Sequence, residues 1–246
     1  MGRRFNGPPS SANGGYACGL LATRAAARLG ANTVAVTLHA PPPLDRECEI
    51  RAAGRRIHLW DGADLLASVS PTDHPIEALP AVTVARARAA EARFEGLAHH
   101  PFPGCFVCGY DRPARDGLRI FPGPLDDRGS VACTWLPDAS IAGPDGLVPA
   151  EIVWAALDCP GGWTAPHTTP RVLGWMTARI DSLPVVGRRY VTTAVLRSRE
   201  RGTLTNTSAL FDQDGRELAR AITRWMAVDP DRLGASTVGS GDRPGS

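Results

Sequence analysis

The sequence lacks the short motifs that would settle its chemistry at once. There is no Gly-x-Ser-x-Gly stretch, which disfavours a serine hydrolase built on a nucleophile elbow. No His-Glu-x-x-His pair of metal ligands is present, nor a glycine-rich phosphate loop of the Walker type. Apolar runs are too short and too interrupted to span a bilayer. The opening "MGRRF" is basic, but no apolar signal core with a cleavage site follows, so the expectation is a cytoplasmic protein. An excess of either charge is also missing. Lys and Arg total 27 against 25 Asp and Glu, a net charge of +2 with the two signs interspersed. That balance gives no case for nucleic acid or a membrane surface as partner.

What is present is ordinary for a globular chain: 43% hydrophobic and 21% charged residues in a length of 246. This is enough to bury one large core or two small ones. Six cysteines (Cys18, Cys48, Cys105, Cys108, Cys133 and Cys159) are scattered along it. Disulfide frameworks belong to small secreted domains, so most of these read as buried thiols. Cys105-Phe-Val-Cys108, with His99 and His100 upstream, invites comparison with a zinc site. Structural zinc normally draws ligand pairs from two separated elements, and four donors packed this closely in sequence would make a poor tetrahedron. Loop packing is therefore preferred to a metal or a redox pair, and no metal is expected.

Two stretches stand out. "SSANGGYACGLLATRAAARLG" (10–30) passes from a polar, glycine-rich turn into an apolar helix over Asn13 to Leu29, stopped by Gly30. "VPAEIVWAALDCPGGWTA" (148–165) is a second apolar helix, from Pro149 to about Leu157 or beyond, with Asp158 in its middle and no glycine pair at its start. Strand-like segments follow each. After the first come "TVAVTLHAPPPL" and "ECEIRAAGRRIHLWDGADLLASVSP", with turns at Gly54 and Gly62. After the second come "VLGWMTARIDSLPVVGRRYVTTAVLRS" and "TLTNTSALFDQDGRELARAITRWMAV", the latter turning at Asp214-Gly215. Between the halves lie a turn-rich stretch and an Ala/Arg/Glu helix in "AVTVARARAAEARFEGL"; a Pro/Gly-punctuated loop then leads into the second half, which opens with the strand-like "LRIFPG" and "SVACTWLP".

Residues 34–50 can be laid over 176–192 without a gap, which puts Pro42 on Pro184, Arg46 on Arg188, Val36 on Ala178 and Leu38 on Ile180. With a matching helix upstream of both segments, an internal repeat is the better reading. The expected class is α+β, each repeat a long central helix wrapped by a curved antiparallel sheet. The expected organisation is a first unit over 1–75, a linker with a helix over 76–104, a second unit over 105–228 and a disordered tail over 229–246. Only a dozen residues precede the first helix, so its unit is read as trimmed, or with "RRFN" as a short edge strand.

The Gly-Gly helix start, the acid nine positions beyond the motif's first residue in the second helix, the break at Pro184-Val185-Val186-Gly187 and the lead-in "CFVCG…DGLRIF" resemble the hotdog-fold acyl-CoA thioesterases. The phenylacetic-acid-pathway and hydroxybenzoyl-CoA types are the most similar. The resemblance covers most of 105–228, and 5–71 more loosely. It implies a double hotdog hydrolysing an acyl thioester, with an oxyanion-binding amide at a helix start and an Asp or Glu acting as base or nucleophile. Laid on the first helix, the motif puts Asn13, Gly14 and Gly15 on the turn and Ala22 at the acid position. On the second, Pro149, Ala150 and Glu151 take the turn and Asp158 is the acid. Each helix keeps what the other has lost. Asn13, Gly14, Gly15 and Asp158 are thus the implied catalytic set, forming one site per chain.

Distance supports a split site. Eight residues of helix rise roughly 12 Å, too far for one thioester carbonyl to meet both an amide and a carboxylate on the same helix. The structural alternatives are an ordinary N-cap at Asn13 and a solvent-facing Asp158. Asn6 and Thr164 are weaker substrate-binding candidates. Thr164 stands in for a hydroxyl that some relatives place where this chain has Gly162. Arg46 and Arg188 could meet coenzyme A phosphates or simply be solvated. Trp154, Trp163 and Trp175 could line an apolar pocket or the core. Glu151 reads as a favourable charge at a helix start. No cofactor is expected beyond the coenzyme A of the substrate, the partner is a small acyl thioester, and a homodimer of double hotdogs is left open. The rival functions are a non-catalytic acyl-CoA or lipid binder and a hotdog dehydratase or hydratase. The latter usually needs a histidine that neither helix start has.

Overall fold

An Asn-Gly-Gly turn starts the first helix for a local reason. In the computed structural model, the Asn13 side chain accepts from the Tyr16 backbone N–H at 2.9 Å, which satisfies one orphan donor of helix α1 (Gly14–Leu29). Gly30, at φ 58°, closes the helix in the left-handed region. The structure describes residues 1–229 except Asn32, Asp127, His167 and Thr168. The tail expected from 229 onward lies, beyond Asp229 itself, outside the described residues.

Helix α1 leads into strands β1 (Val34–Leu38), β2 (Glu49–Ala53), β3 (Arg56–Asp61) and β4 (Asp64–Pro71). A short helix α2 (Val84–Glu91) follows, then β5 (Gly123–Pro124), β6 (Ser130–Trp135) and helix α3 (Ala150–Gly162). Strands β7 (Arg171–Ile180), β8 (Tyr190–Glu200), β9 (Thr203–Asp212) and β10 (Glu217–Ala227) complete the chain. All ten strands form one antiparallel sheet in the order β2-β3-β4-β1-β7-β10-β9-β8-β6-β5.

The seam between β1 and β7 is the centre of a regular arrangement. There Ala35 pairs with Thr177, the residue onto which the ungapped sequence alignment lays it. Moving outward, β4, β3 and β2 follow on one side and β10, β9 and β8 on the other. Local contacts correspond as well. The Ala12 N–H donates to the Pro42 carbonyl at 2.8 Å, and the Val148 N–H to the Pro184 carbonyl at 2.8 Å. The His39 N–H donates to the Leu66 carbonyl, and the Asp181 N–H to the Leu218 carbonyl, both at 2.8 Å. A 3-10 turn stands ahead of each long helix, over Arg3–Phe5 and Ala139–Ile141. The halves differ at their outer edges, where β6 extends the second beyond β8 and β2 ends the first.

Helix α3 is apolar on every side, and each residue from Ile152 to Gly162 is buried, as expected of a helix enclosed by protein. Helices α1 and α3 pack against each other and against the sheet, which gives the main core. Their close approach depends on small residues. A Cβ on Gly15 would stand 2.4 Å from the Asp158 Cβ, and one on Gly19 would stand 2.7 Å from the Glu151 Cα. The linker helix α2 lies against β6 and β8 and buries Ala87 and Ala90, and Ala87 belongs to a smaller cluster with Val191, Ala209 and Phe211.

Two local expectations change. "RRFN" is not an edge strand: Arg3–Phe5 forms a 3-10 turn, whose Phe5 ring stacks on Tyr16 at 4.0 Å between centroids. In "LRIFPG" only Gly123–Pro124 is strand. The preceding residues run irregularly, with the Leu118 and Ile120 N–H groups bonded to the Phe106 and Val107 carbonyls. That whole segment packs against the chain's opening, where the Phe106 N–H donates to the Asn6 carbonyl at 2.8 Å.

Candidate active site

The start of α1 meets the C-terminal half of α3. The Gly15 N–H donates to Asp158 Oδ2 at 2.8 Å, across 143 residues of chain. Asp158 is fully buried, and its Oδ1 has no hydrogen-bond partner among the described residues. Burial pushes its carboxyl well above the usual range for aspartate, while the Gly15 N–H pulls it partly back. Any bulkier residue at position 15 would push the two helices apart, so the missing side chain is what allows this contact. The solvent-facing reading of Asp158 is therefore excluded. Asn13 does cap its helix, as the plain structural reading held, yet its Nδ2 also lies 3.5 Å from Cys159 Sγ.

A cavity of about 550 Å³ opens onto this junction, within the usual size range of small-ligand pockets. Asn13, Gly14 and Asp158 line it, together with Phe102, Trp163, Leu173 and Trp225. Gly14, at the first helical position, turns its backbone toward this space, and no acceptor among the described residues takes its N–H. The donors of the α1 first turn are therefore divided. Gly15 holds the carboxylate, Tyr16 is capped, and Gly14 remains available to a ligand oxygen, assisted by the positive end of the helix dipole.

The mirrored junction is built differently. Pro149 precedes α3 with no side-chain cap, and Glu151 stands where the first helix has Gly15. Ala22 is buried and carries no chemistry.

Of the remaining candidates, Asn6, Thr164, Arg46 and Arg188 do not line the cavity. The Asn6 Nδ2 donates to the Gly7 and Gly104 carbonyls, and its Oδ1 accepts from Arg112, so its polar atoms tie the loop together. The Thr164 hydroxyl contacts the Gly161 carbonyl and Asn206 Oδ1 and does not line the cavity. Gly162 cannot be replaced by a residue with a hydroxyl without displacing Trp225, whose ring would be 3.1 Å from an added Cβ. Arg46 pairs with Asp61 at 2.9 Å, and Arg188 is exposed. Of the three tryptophans, Trp163 lines the cavity, Trp154 belongs to the core, and Trp175 lies under Arg224.

Sequence reasoning missed the neighbours of Asp158. Cys159, the next residue, lies against Cys105, with 3.9 Å between the sulfurs, and Cys108 completes a buried trio. The local spacing that linked Cys105 and Cys108 to His99 and His100 gave no sign of this. His99 is exposed, and both ring nitrogens of His100 are engaged, with the Cys108 carbonyl and the Phe102 N–H.

No family model matches the sequence, and no curated protein matches it. The likeness is structural. A candidate thioesterase from Novosphingobium aromaticivorans matches with TM-score 0.57 at 16% identity, over 93% of this chain and 94% of its own. The tesB protein of Mycobacterium avium subspecies paratuberculosis matches with TM-score 0.56 at 15% identity, over 90% of this chain and 89% of its own. A candidate oleoyl thioesterase from Lactobacillus plantarum matches with TM-score 0.54 at 12% identity, over 93% and 94%. The fold is shared with these three structures, α+β with a large antiparallel sheet, as the sequence resemblance implied. Among the described residues no helix is long and apolar enough to cross a membrane.

Proposed function

We propose that this protein is an acyl-CoA thioesterase with one active site per chain, built as a double hotdog whose second, mirrored site has lost its parts. The observation that carries the reading is the 2.8 Å bond from the Gly15 N–H to Asp158 at the floor of the cavity. A buried carboxylate is costly without partners or a task. This one accepts from the Gly15 N–H, and its Oδ1 has no hydrogen-bond partner among the described residues.

In this scheme the thioester carbonyl lies against the Gly14 N–H, which stabilises the oxyanion as the tetrahedral centre forms. Asp158 Oδ1 supplies the attack, either by taking a proton from water or by bonding to the carbonyl carbon itself. Collapse breaks the C–S bond and releases the free thiol, leaving the carboxylic acid after water has entered. A carboxyl raised by burial is a better proton acceptor than one in solvent, which suits the base role. Gly15 holds the other oxygen and fixes the direction of the lone pairs. The coenzyme A belongs to the substrate, so the reaction calls for no separate cofactor.

The test is thiol release from a panel of acyl-CoAs by the purified chain, with Asp158→Asn alongside. Hydrolysis that disappears in the variant supports the proposal. Tight binding without turnover would favour the non-catalytic binder, and neither binding nor turnover across the panel overturns both. A single turnover in ¹⁸O-labelled water separates the two routes, because only the nucleophile route leaves label in the Asp158 side chain.

A further inference from the structure

Three sulfurs from two distant segments converge beside the active site. Cys105, Cys108 and Cys159 are fully buried, and their Sγ atoms all lie within 4.8 Å of one another. The 3.9 Å between Cys105 and Cys159 is close to the edge of a tetrahedron whose centre stands about 2.3 Å from each sulfur. Two of the ligands come from a loop and the third from helix α3, so the supply from two separated elements that a Cys-x-x-Cys pair alone could not offer is met.

The surroundings are built to hold negative sulfur. The Asn13 amide nitrogen stands 3.5 Å from Cys159 Sγ and 4.0 Å from Cys105 Sγ, and the Trp163 side chain bonds to Cys108. Hydrogen bonds to ligating sulfurs are the outer shell that such centres need. The loop is shaped for it as well. A side chain at Gly109 would meet the Pro103 carbonyl and the Cys105 backbone at once, so only glycine permits the tight turn that the Gly109 N–H closes on the Cys105 carbonyl at 2.9 Å.

We propose that Cys105, Cys108 and Cys159 form a three-thiolate site for a thiophilic divalent cation of the zinc class, with its fourth position open to the cavity that all three line. Among the described residues no further Cys, His, Asp or Glu joins the trio. The fourth ligand is then water or a donor atom of the bound ligand. Binding releases the thiol protons to solvent and changes no oxidation state. The ion clamps the 101–110 loop to α3 at the residue following Asp158, and so couples the cavity wall to the carboxylate. The site is independent of the thioesterase reading and would remain if that reading failed.

The experiment uses the full chain, purified under reducing conditions, stripped with chelator and titrated with Zn²⁺ or Co²⁺. About one ion per chain should be retained through dialysis. The Co²⁺ form should show thiolate-to-metal charge-transfer absorption together with the visible bands of a four-coordinate ion. Zn²⁺ should also protect these three cysteines from iodoacetamide, located by peptide mass spectrometry, whereas half-exposed Cys48 should label equally with and without metal. Cys159→Ser and Cys105→Ser should each lose the charge-transfer band, while Cys48→Ser should retain it. Because a core variant could fail to fold, the protection pattern in the unmutated chain is an independent reading. A folded chain that retains no stoichiometric ion, a Co²⁺ spectrum without thiolate absorption, or a Cys105–Cys159 disulfide in freshly isolated protein would each overturn the site.

Discussion

Helices α1 and α3 hold corresponding places on the two sides of the β1/β7 seam, and they have been fitted out in complementary ways. The first has a capping Asn, two glycines and a plain alanine where an acid could stand. The second has a proline, an alanine and a glutamate at its start, and the aspartate further along. The difference teaches that the glycine turn and the aspartate brought together by the fold come from different helices, whereas Pro149 and Ala22 offer neither. The packing also differs: Gly15 lets the Asp158 Cβ come close, and Gly19 lets the Glu151 backbone come close.

The sharpest way to break this comparison is to remove the acid. Asp158→Asn should keep the fold, since an amide oxygen can still accept from Gly15, yet thiol release should fall about a hundred- to ten-thousand-fold. Steady-state kinetics beside a melting curve check both halves of that statement. Next comes the contact itself. Gly15→Ala places a methyl 2.4 Å from the Asp158 Cβ and 2.9 Å from the Trp154 carbonyl, so denaturant unfolding should show a loss of about 1–3 kcal/mol, with activity reduced.

Asn13→Ala should cost less, about 1 kcal/mol, through loss of the N-cap. The corresponding Pro149 has no side-chain cap to lose, so substituting it should reveal no such capping loss in urea titrations. The smallest effect is expected at the mirrored start. Glu151→Ala should change stability by no more than about 1 kcal/mol and leave turnover intact. A large loss of activity there would mean that the second junction is working after all.

Much of the fold was legible because it rests on local chemistry and pattern. Asn13 as a cap, Gly30 as a stop, the turns at Gly54, Gly62 and Gly215, and the alternation along β1 and β7 act within a few residues of chain. The family motif laid on each helix implied a glycine turn at Gly14-Gly15 and an acid at Asp158, and the fold brings the Gly15 N–H and Asp158 together. The errors also have causes. In "RRFN" only Asn6 pairs, in a single bridge to Ala12, while Arg3–Phe5 curls so that Phe5 stacks on Tyr16, and "LRIF" gives its backbone bonds to the Phe106-Val107 segment. Asn6 looked free to meet a substrate only because Arg112, 106 residues away, was not visible as its partner.

The sequence by itself determined the helices, the strands and the kind of residue waiting at each helix start, because capping, periodicity and glycine's freedom act over a few positions. Tertiary structure alone decided three things. It assigned the Gly15 N–H to Asp158 and left Gly14 to face the cavity, it drew Asn6 away into a loop, and it gathered Cys159 with Cys105 and Cys108. These are contacts between residues dozens to more than a hundred positions apart, fixed by how closely two helices pack and where a loop returns. No local preference encodes those distances.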